Sequence, residues 1–401
     1  MNVRLFRTSA AVLLAMVAFR STEAQTYPTT AHAFLVPPSV GTYSDQETLR
    51  RLPPSSGVGS PSFGDVRLVD YLTGGEGEDN GFENGTEKSC DECCPPFWTH
   101  RTGAFAEYLL LRPRSAEVAY AVPINGAIVP PPANPVQVGP VALVDPDYTS
   151  GFRAGASWAL DSCTSIVGTY TWFENHTTHA VSVDAPLVLR SLVTHPGTAN
   201  AAADYLAASA DQSVDFEFAD LDYRSVWWLG ECSVVNWSVG ARYAQLTQDF
   251  ASQFTDAGTV DSVATAVDFD GGGIRLGLDG ERHHGSRGFL LYGKGALNLI
   301  AGEFRASYFQ GSDQYPEIVN TAWKAGRIVP ILDLELGAGW QSPCGRFRVT
   351  TGYVVNMWFN TLTTDSWIRS VGQNNFVGQA DAISYDTLTF DGFTARAEYR
   401  F

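Results

Sequence analysis

The sequence predicts an all-β fold: an antiparallel transmembrane β-barrel of about ten strands behind a disordered N-terminal extension. Three observations predict it. Segments from residue 103 onward alternate apolar with polar residues, the period of a β-strand. The first residues have the layout of an export signal. The last alternating segment ends on an aromatic residue, Phe401. Composition agrees. Charged residues are only 17% and aromatics 12%, with 38 glycines and 3 methionines, which suits neither an acidic disordered tail nor a helical bundle. A net charge of −17 argues against a nucleic-acid binder, which needs clustered positive charge.

Residues 1–24 open with Arg4 and Arg7, continue through the uncharged run Thr8–Phe19, and reach small residues before Ala24. This reads as a secretory signal peptide, cleaved after Ala24, with an apolar run too short to span a bilayer. The later charge-free run Val118–Val144 carries Pro123, Pro130, Pro131, Pro132, Pro135 and Pro140, which exclude a spanning helix. Residues 25–102 are rich in Pro, Gly, Ser and Thr, then acidic from Gly74 to Glu92, and hold Cys90, Cys93 and Cys94. With little to build a core from, they are expected to be a mostly disordered periplasmic extension.

The barrel is expected over 103–401. In 235–243, Val235, Trp237, Val239, Ala241 and Tyr243 share one face against Asn236, Ser238, Gly240 and Arg242. The same holds for Ile274, Leu276 and Leu278 against Arg275, and for Leu332, Leu334 and Leu336 against Asp333 and Glu335. Such strands suit lipid on the apolar side and a crowded lumen on the other. Strands are predicted near 104–112, 151–160, 165–174, 216–228, 234–248, 271–278, 288–300, 328–340, 345–358 and 391–401. Short turns then fall at 161–164, 229–233, 279–287 and 341–345, and long outer loops at 113–150, 175–215, 249–270, 301–327 and 359–390. If Ala116–Val122 also pairs within the barrel, the count becomes twelve. The final strand, with Tyr399 and Phe401 on its apolar face, is similar to the signal read by the barrel assembly machinery.

Cys163, Cys232 and Cys344 each fall in a predicted short turn, in the same oxidising compartment as Cys90, Cys93 and Cys94. Disulfides between the N-terminal cluster and the turns are expected, and a metal site is not. The predicted inward basic residues are Arg153, Arg224, Arg242, Arg275, Lys294, Arg348 and Arg396. The inward acids are Glu107, Asp220, Asp222, Asp333, Glu335 and Glu398. Two readings stand: a selectivity filter made of charge rings, or paired charges filling a narrow bore.

A set of segments occurs in order along the strands: Asp220-Leu-Asp-Tyr223, Val239-Gly-Ala-Arg-Tyr243, Asp270-Gly-Gly-Gly-Ile-Arg-Leu-Gly277, Leu291-Tyr-Gly293, Arg327-Ile-Val-Pro-Ile-Leu-Asp333, Gly352-Tyr-Val-Val-Asn356 and the terminal Phe401. Together they resemble the pore-forming outer-membrane protein family typified by the Legionella major outer membrane protein. The resemblance covers roughly 150–401. It implies an outer-membrane barrel with porin activity, and its lumen charges carry over at Arg242, Arg275 and Asp333.

Signs of other chemistry are few. His176-Thr-Thr-His179 has metal-compatible spacing but falls in a predicted outer loop, His283 and His284 flank a turn, and Asp268-Phe-Asp-Gly-Gly-Gly reads as a glycine-kinked bulge. No Gly-x-Ser-x-Gly elbow is present. The sequence therefore predicts no cofactor and no enzyme. It predicts a porin-like barrel passing small hydrophilic solutes or ions. A non-conducting structural or adhesive surface protein is the alternative, and a barrel enzyme ranks behind both. Expected partners are outer-membrane lipid, the assembly machinery and small solutes or ions, with self-association left open and no nucleic acid.

Overall fold

The structure is a computed structural model describing residues 96–126, 136–256, 258–284, 288–373 and 386–401. Ten strands form a closed antiparallel barrel: β1 (Gly103–Arg114), β4 (Thr149–Ala159), β5 (Thr164–Phe173), β8 (Ala207–Leu229), β9 (Ser233–Thr255), β10 (Val260–His284), β11 (Phe289–Ser312), β12 (Val319–Gln341), β13 (Phe347–Thr361) and β14 (Asp386–Arg400). Each strand pairs with the next, and β1 pairs with β14 to complete the ring. A further strand, β6 (His176–Ser182), continues alongside β8 beyond the end of β5. No described helix is long and apolar enough to cross a membrane.

Strands β8 to β12 are 23 to 25 residues long, well beyond their expected lengths. The regions predicted as long loops at 249–270 and 301–327 are mostly strand, closed by tight connections after Thr255 and Ser312. The reason is a change of parity partway along each strand. On β9 the outward face runs Val235, Trp237, Val239, Ala241 and Tyr243, then Gln245, Thr247, Asp249, Ala251, Gln253 and Thr255. The inward face runs Asn236, Ser238, Gly240 and Arg242, then Ala244, Leu246, Gln248, Phe250, Ser252 and Phe254. On β10 the same change separates outward Ile274, Leu276 and Leu278 from outward Asp270, Asp268 and Ala266. One half is apolar outside and polar inside, as lipid requires. The other is polar outside and apolar inside, as water requires. The ladder through Asp268–Gly273 keeps its register, so the expected bulge is absent there. The glycines instead permit close approach, because a Cβ on Gly273 would collide with the Leu299 carbonyl.

The loop end carries a small sheet of β2 (Val118–Ile124), β3 (Ala142–Val144) and β7 (Val188–Ser191), in the order β3-β2-β7. The segment proposed to raise the barrel to twelve strands therefore pairs outside it, and ten is the barrel count. Helix α1 (Thr364–Gln373) turns Trp367, Ile368 and Val371 inward, and the Trp367 indole donates to the Ser307 carbonyl at 3.0 Å. These elements cover a continuous core that runs from Tyr120 and Leu189 down to Phe218 and Trp358. Each fully buried large side chain in it contributes about 1.5–3 kcal/mol by leaving water.

Candidate functional site

The lumen is the candidate site, and its contents change from end to end. Toward the loops it is filled by an aromatic plug. Phe216, Phe218, Phe269, Phe304, Trp358 and Phe390 are each no more than 2% exposed. They come from β8, β10, β11, β13 and β14, so the plug draws on strands around much of the ring. Trp358 stacks on Phe218 at 5.4 Å and meets Phe269 edge-on at 6.2 Å, while Phe216 meets Phe390 at 4.6 Å. A ten-stranded ring is narrow enough for side chains of this size to meet across it.

Below the plug lies a lattice of ion pairs, some of them between residues that strand register sets opposite each other. Asp220 sits opposite Arg242, Glu107 opposite Arg153, and Lys294 opposite Glu335. Arg242 makes a forked pair with Asp220 at 2.6 and 2.8 Å, reaches Asp333 at 2.9 Å, and lies 4.0 Å from the Phe218 ring centre. Arg275 binds Asp333 at 2.6 Å and Asp222 at 3.2 Å. Glu335 accepts from Lys294 at 2.7 Å and from Arg153 at 3.5 Å, and Arg153 also holds Glu107 at 2.9 Å. Arg224 pairs with Asp279, Arg348 with Glu281 at 2.7 Å, and Arg396 and Arg400 both with Glu398 at 3.0 and 2.6 Å. The Arg153–Glu335 and Arg348–Glu281 pairs join non-neighbouring strands, so they run as chords through the bore.

Between this lattice and the short-turn mouth is a cavity of about 200 Å³. Its floor is a strap, residues 96–101, that enters β1. Phe97 packs on His283 of β10 at 4.5 Å. In the ring order β10 lies opposite β1, so the strap crosses the mouth along a diameter. The His100 amide donates to the Ser162 carbonyl at 2.9 Å. The His100 ring meets Ser165 Oγ at 2.8 Å and Asn236 Oδ1 at 3.1 Å. Because the carboxamide oxygen only accepts, Nε2 carries the proton. Burial, aided by the nearby Arg224 charge, holds the His100 pKa below its usual value, while Asn236, Asp279 and Asp161 oppose the shift.

The sequence-predicted lumen residues Arg153, Arg224, Arg242, Arg275, Lys294, Arg348, Arg396, Asp333, Glu335 and Glu398 all line this cavity and its lattice. Tyr399 and Phe401 project outward, 50% and 75% exposed. The expectation that the turn cysteines are bridged does not hold for two of them. Cys163 and Cys232 are free thiols. They sit on separate turns that lean to different neighbours, Cys163 accepting from the Val226 amide and Cys232 from the His283 amide. Cys344 is not a free thiol, and Cys90, Cys93 and Cys94 lie outside the described residues. His176 and His179 lie on β6 rather than in a loop, and His179 Nδ1 bonds the Tyr120 hydroxyl at 2.7 Å. Among the described residues no three metal-type ligands come together.

Sequence reasoning missed three features. Asp279 and Glu281 were expected in a turn, yet the alternation from Arg275 through Gly277 continues unbroken to them. The aromatic plug was signalled by the parity change, which resembles a loop boundary unless the next residues are followed. The strap has no periodic signal at all.

A family model for the Legionella pneumophila major outer membrane protein precursor matches residues 102–401. No curated protein matches the chain. Among solved structures, the outer membrane protease OmpT from Escherichia coli is similar at 11% identity and a TM-score of 0.42, over 76% of this chain and 97% of that one. A Pseudomonas aeruginosa FadL homologue is similar at 7% identity and a TM-score of 0.21, over 75% and 90%. A TodX deletion mutant, a monoaromatic hydrocarbon channel, is similar at 6% identity and a TM-score of 0.25, over 75% and 91%. Similarity this distant carries no argument about activity. The family match spans the whole barrel, including the strands that supply the plug and the ion-pair lattice, and the chain belongs to the Legionella major outer membrane protein family.

Proposed function

We propose that this protein is an outer-membrane barrel closed to passive solute flow, serving as a structural or adhesive surface protein. One observation carries the reading: the six aromatic side chains of the plug are buried to 2% exposure or less and meet across the bore. The lattice beneath supports it, since its charges are spent on one another rather than offered to a passing ion. In this reading residues 1–24 export the chain, the short turns face the periplasm, and the polar half of β8 to β12 stands above the outer leaflet. The outward Leu276, Leu291 and Leu334 meet lipid, and β14 with Tyr399 and Phe401 engages the assembly machinery. A disulfide from the Cys90, Cys93 and Cys94 cluster to Cys344 would tether the chain ahead of the strap, outside residues 96–101 themselves, and non-reducing peptide mapping tests it. No catalytic role is proposed.

Planar-bilayer recording tests closure. Folded, heat-modifiable protein is expected to give no stable conductance steps. Reproducible steps would instead support the second reading, a porin for small hydrophilic solutes or ions. The charged cavity at the short-turn mouth favours that second reading, which requires the plug to move.

A further inference from the structure

We propose that residues 96–101 are a releasable stopper of the short-turn mouth, and that their departure opens the charged lumen cavity to water and small solutes on that side. Closure of the mouth is thereby separate from closure of the bore. The aromatic plug belongs to the strands themselves, whereas the strap lies outside every ladder and meets the barrel through side chains and single hydrogen bonds.

Three features of the strap argue for release. It is outside the sheet: the ladder of β1 begins at Gly103, and no residue of 96–101 shares it. Its ties to the barrel are largely made by side chains. They include the His100 amide to Ser162, the His100 ring to Ser165 and Asn236, Arg101 Nη1 to the Cys344 carbonyl at 2.7 Å, and Ser157 Oγ to the Arg101 carbonyl at 2.9 Å. Its apolar members, Phe97 and Trp98, are only half-buried, so they rest on the mouth without joining a core. A segment tied this way opens locally at far less cost than a strand flanked by two ladders. What it covers is a polar space. Arg153, Arg224, Lys294, Glu281 and Glu335 line the wall, so the cavity can hydrate once uncovered.

Ser238 reports on the space. It faces the cavity one inward position beyond Asn236, the strap's contact on β9. In full-length folded protein, Ser238→Cys would be labelled with a small charged maleimide and quantified by peptide-resolved mass spectrometry, which separates it from the native thiols. Gln253→Cys, on the water-facing outer surface of β9, sets the reference rate. With the strap intact, position 238 is expected to label at least tenfold more slowly than 253. Adding Phe97→Ala and His100→Ala should raise its rate tenfold or more while leaving 253 unchanged. If the double change disturbs folding, judged by heat-modifiability, His100→Ala alone should give an intermediate rate. Fast labelling with the strap intact would overturn the proposal, because the mouth would already be open. Slow labelling in the folded strap variants would also overturn it, because the lattice would then be the barrier. Neither result depends on whether the bore conducts.

Discussion

Arg242→Met is the most informative single change. Arg242 is 3% exposed in its side chain and holds Asp220, 5% exposed, through two hydrogen bonds. Methionine keeps the contact with Phe218 but leaves Asp220 without its forked partner. Asp333 also loses an arginine, yet keeps Arg275 at 2.6 Å and the Asn356 amide. The loss therefore concentrates on one buried carboxylate. Removing one partner of a buried pair costs about 3–5 kcal/mol. With a urea slope of about 1–3 kcal/mol per molar, the unfolding midpoint should fall by more than about 1 M. The assay is urea titration of the lipid-reconstituted barrel, followed by tryptophan fluorescence and by heat-modifiable gel mobility. Adding Asp220→Asn removes the stranded charge and should recover most of the loss, giving a double-mutant coupling well above 1 kcal/mol. Arg305→Ala, which breaks the exposed pairs with Glu303 and Asp270, should leave the midpoint unmoved. A midpoint for Arg242→Met within about 0.3 M of wild type would refute the claim that the lattice is a structural core.

Other outcomes are expected from the same geometry. Trp358→Ala, which empties a fully buried site beside Phe218 and Phe269, should cost about 3–5 kcal/mol in the same titration. Leu276→Arg places a charge on the lipid face and should cost about 2–4 kcal/mol, whereas Ala266→Arg, five outward positions further along the same face of β10, should be tolerated. Equal effects would refute the parity change. The strap should loosen in acid. His100 has a lowered folded pKa, so its contribution is present above its unfolded value of 6.5 and lost as pH falls through the folded value. Exchange of the His100 amide, corrected for intrinsic rate, should therefore be slow at neutral pH and become faster as the pH falls below 6.5. A pH-independent corrected rate would exclude His100 as the acid-sensitive anchor.

The fold was legible where one rule governed a whole segment. The ten strands and the short turns follow from period-2 alternation, because the lipid-facing half imposes one face on every strand. The extent of the strands was not legible from that rule. At Tyr243 and Gln245 on β9, the solvent outside the barrel changes from lipid to water, and a reading tuned to apolar-out residues ends the strand there. The local propensity of Phe250 and Phe254 is still that of a strand. The lumen charges were readable as inward residues, and register explains pairs such as Asp220–Arg242, Glu107–Arg153 and Lys294–Glu335. Their long-range chords, such as Arg153 to Glu335, depend on ring closure, which no local pattern encodes. The strap was invisible for a different reason: His100 is placed by Ser165 and Asn236, 65 and 136 residues away.

The seam between β1 and β14 has a consequence for the order in which the molecule can be made. Glu107 and Arg396 become neighbours only when the first and last strands meet, and that contact spans nearly the whole described chain. Contacts of such sequence separation form late, because the intervening chain must be ordered first. The plug shares this dependence: Phe390 of β14 packs on Phe173 of β5 and Phe216 of β8. Until the seam shuts, the half of the sheet that will face water carries an uncovered apolar surface. Burial of the plug is thus a reward delivered at the last step, drawing the two edges together and disfavouring their parting. A weakened plug should then show itself first in the yield and speed of assembly, before it shows in the finished barrel.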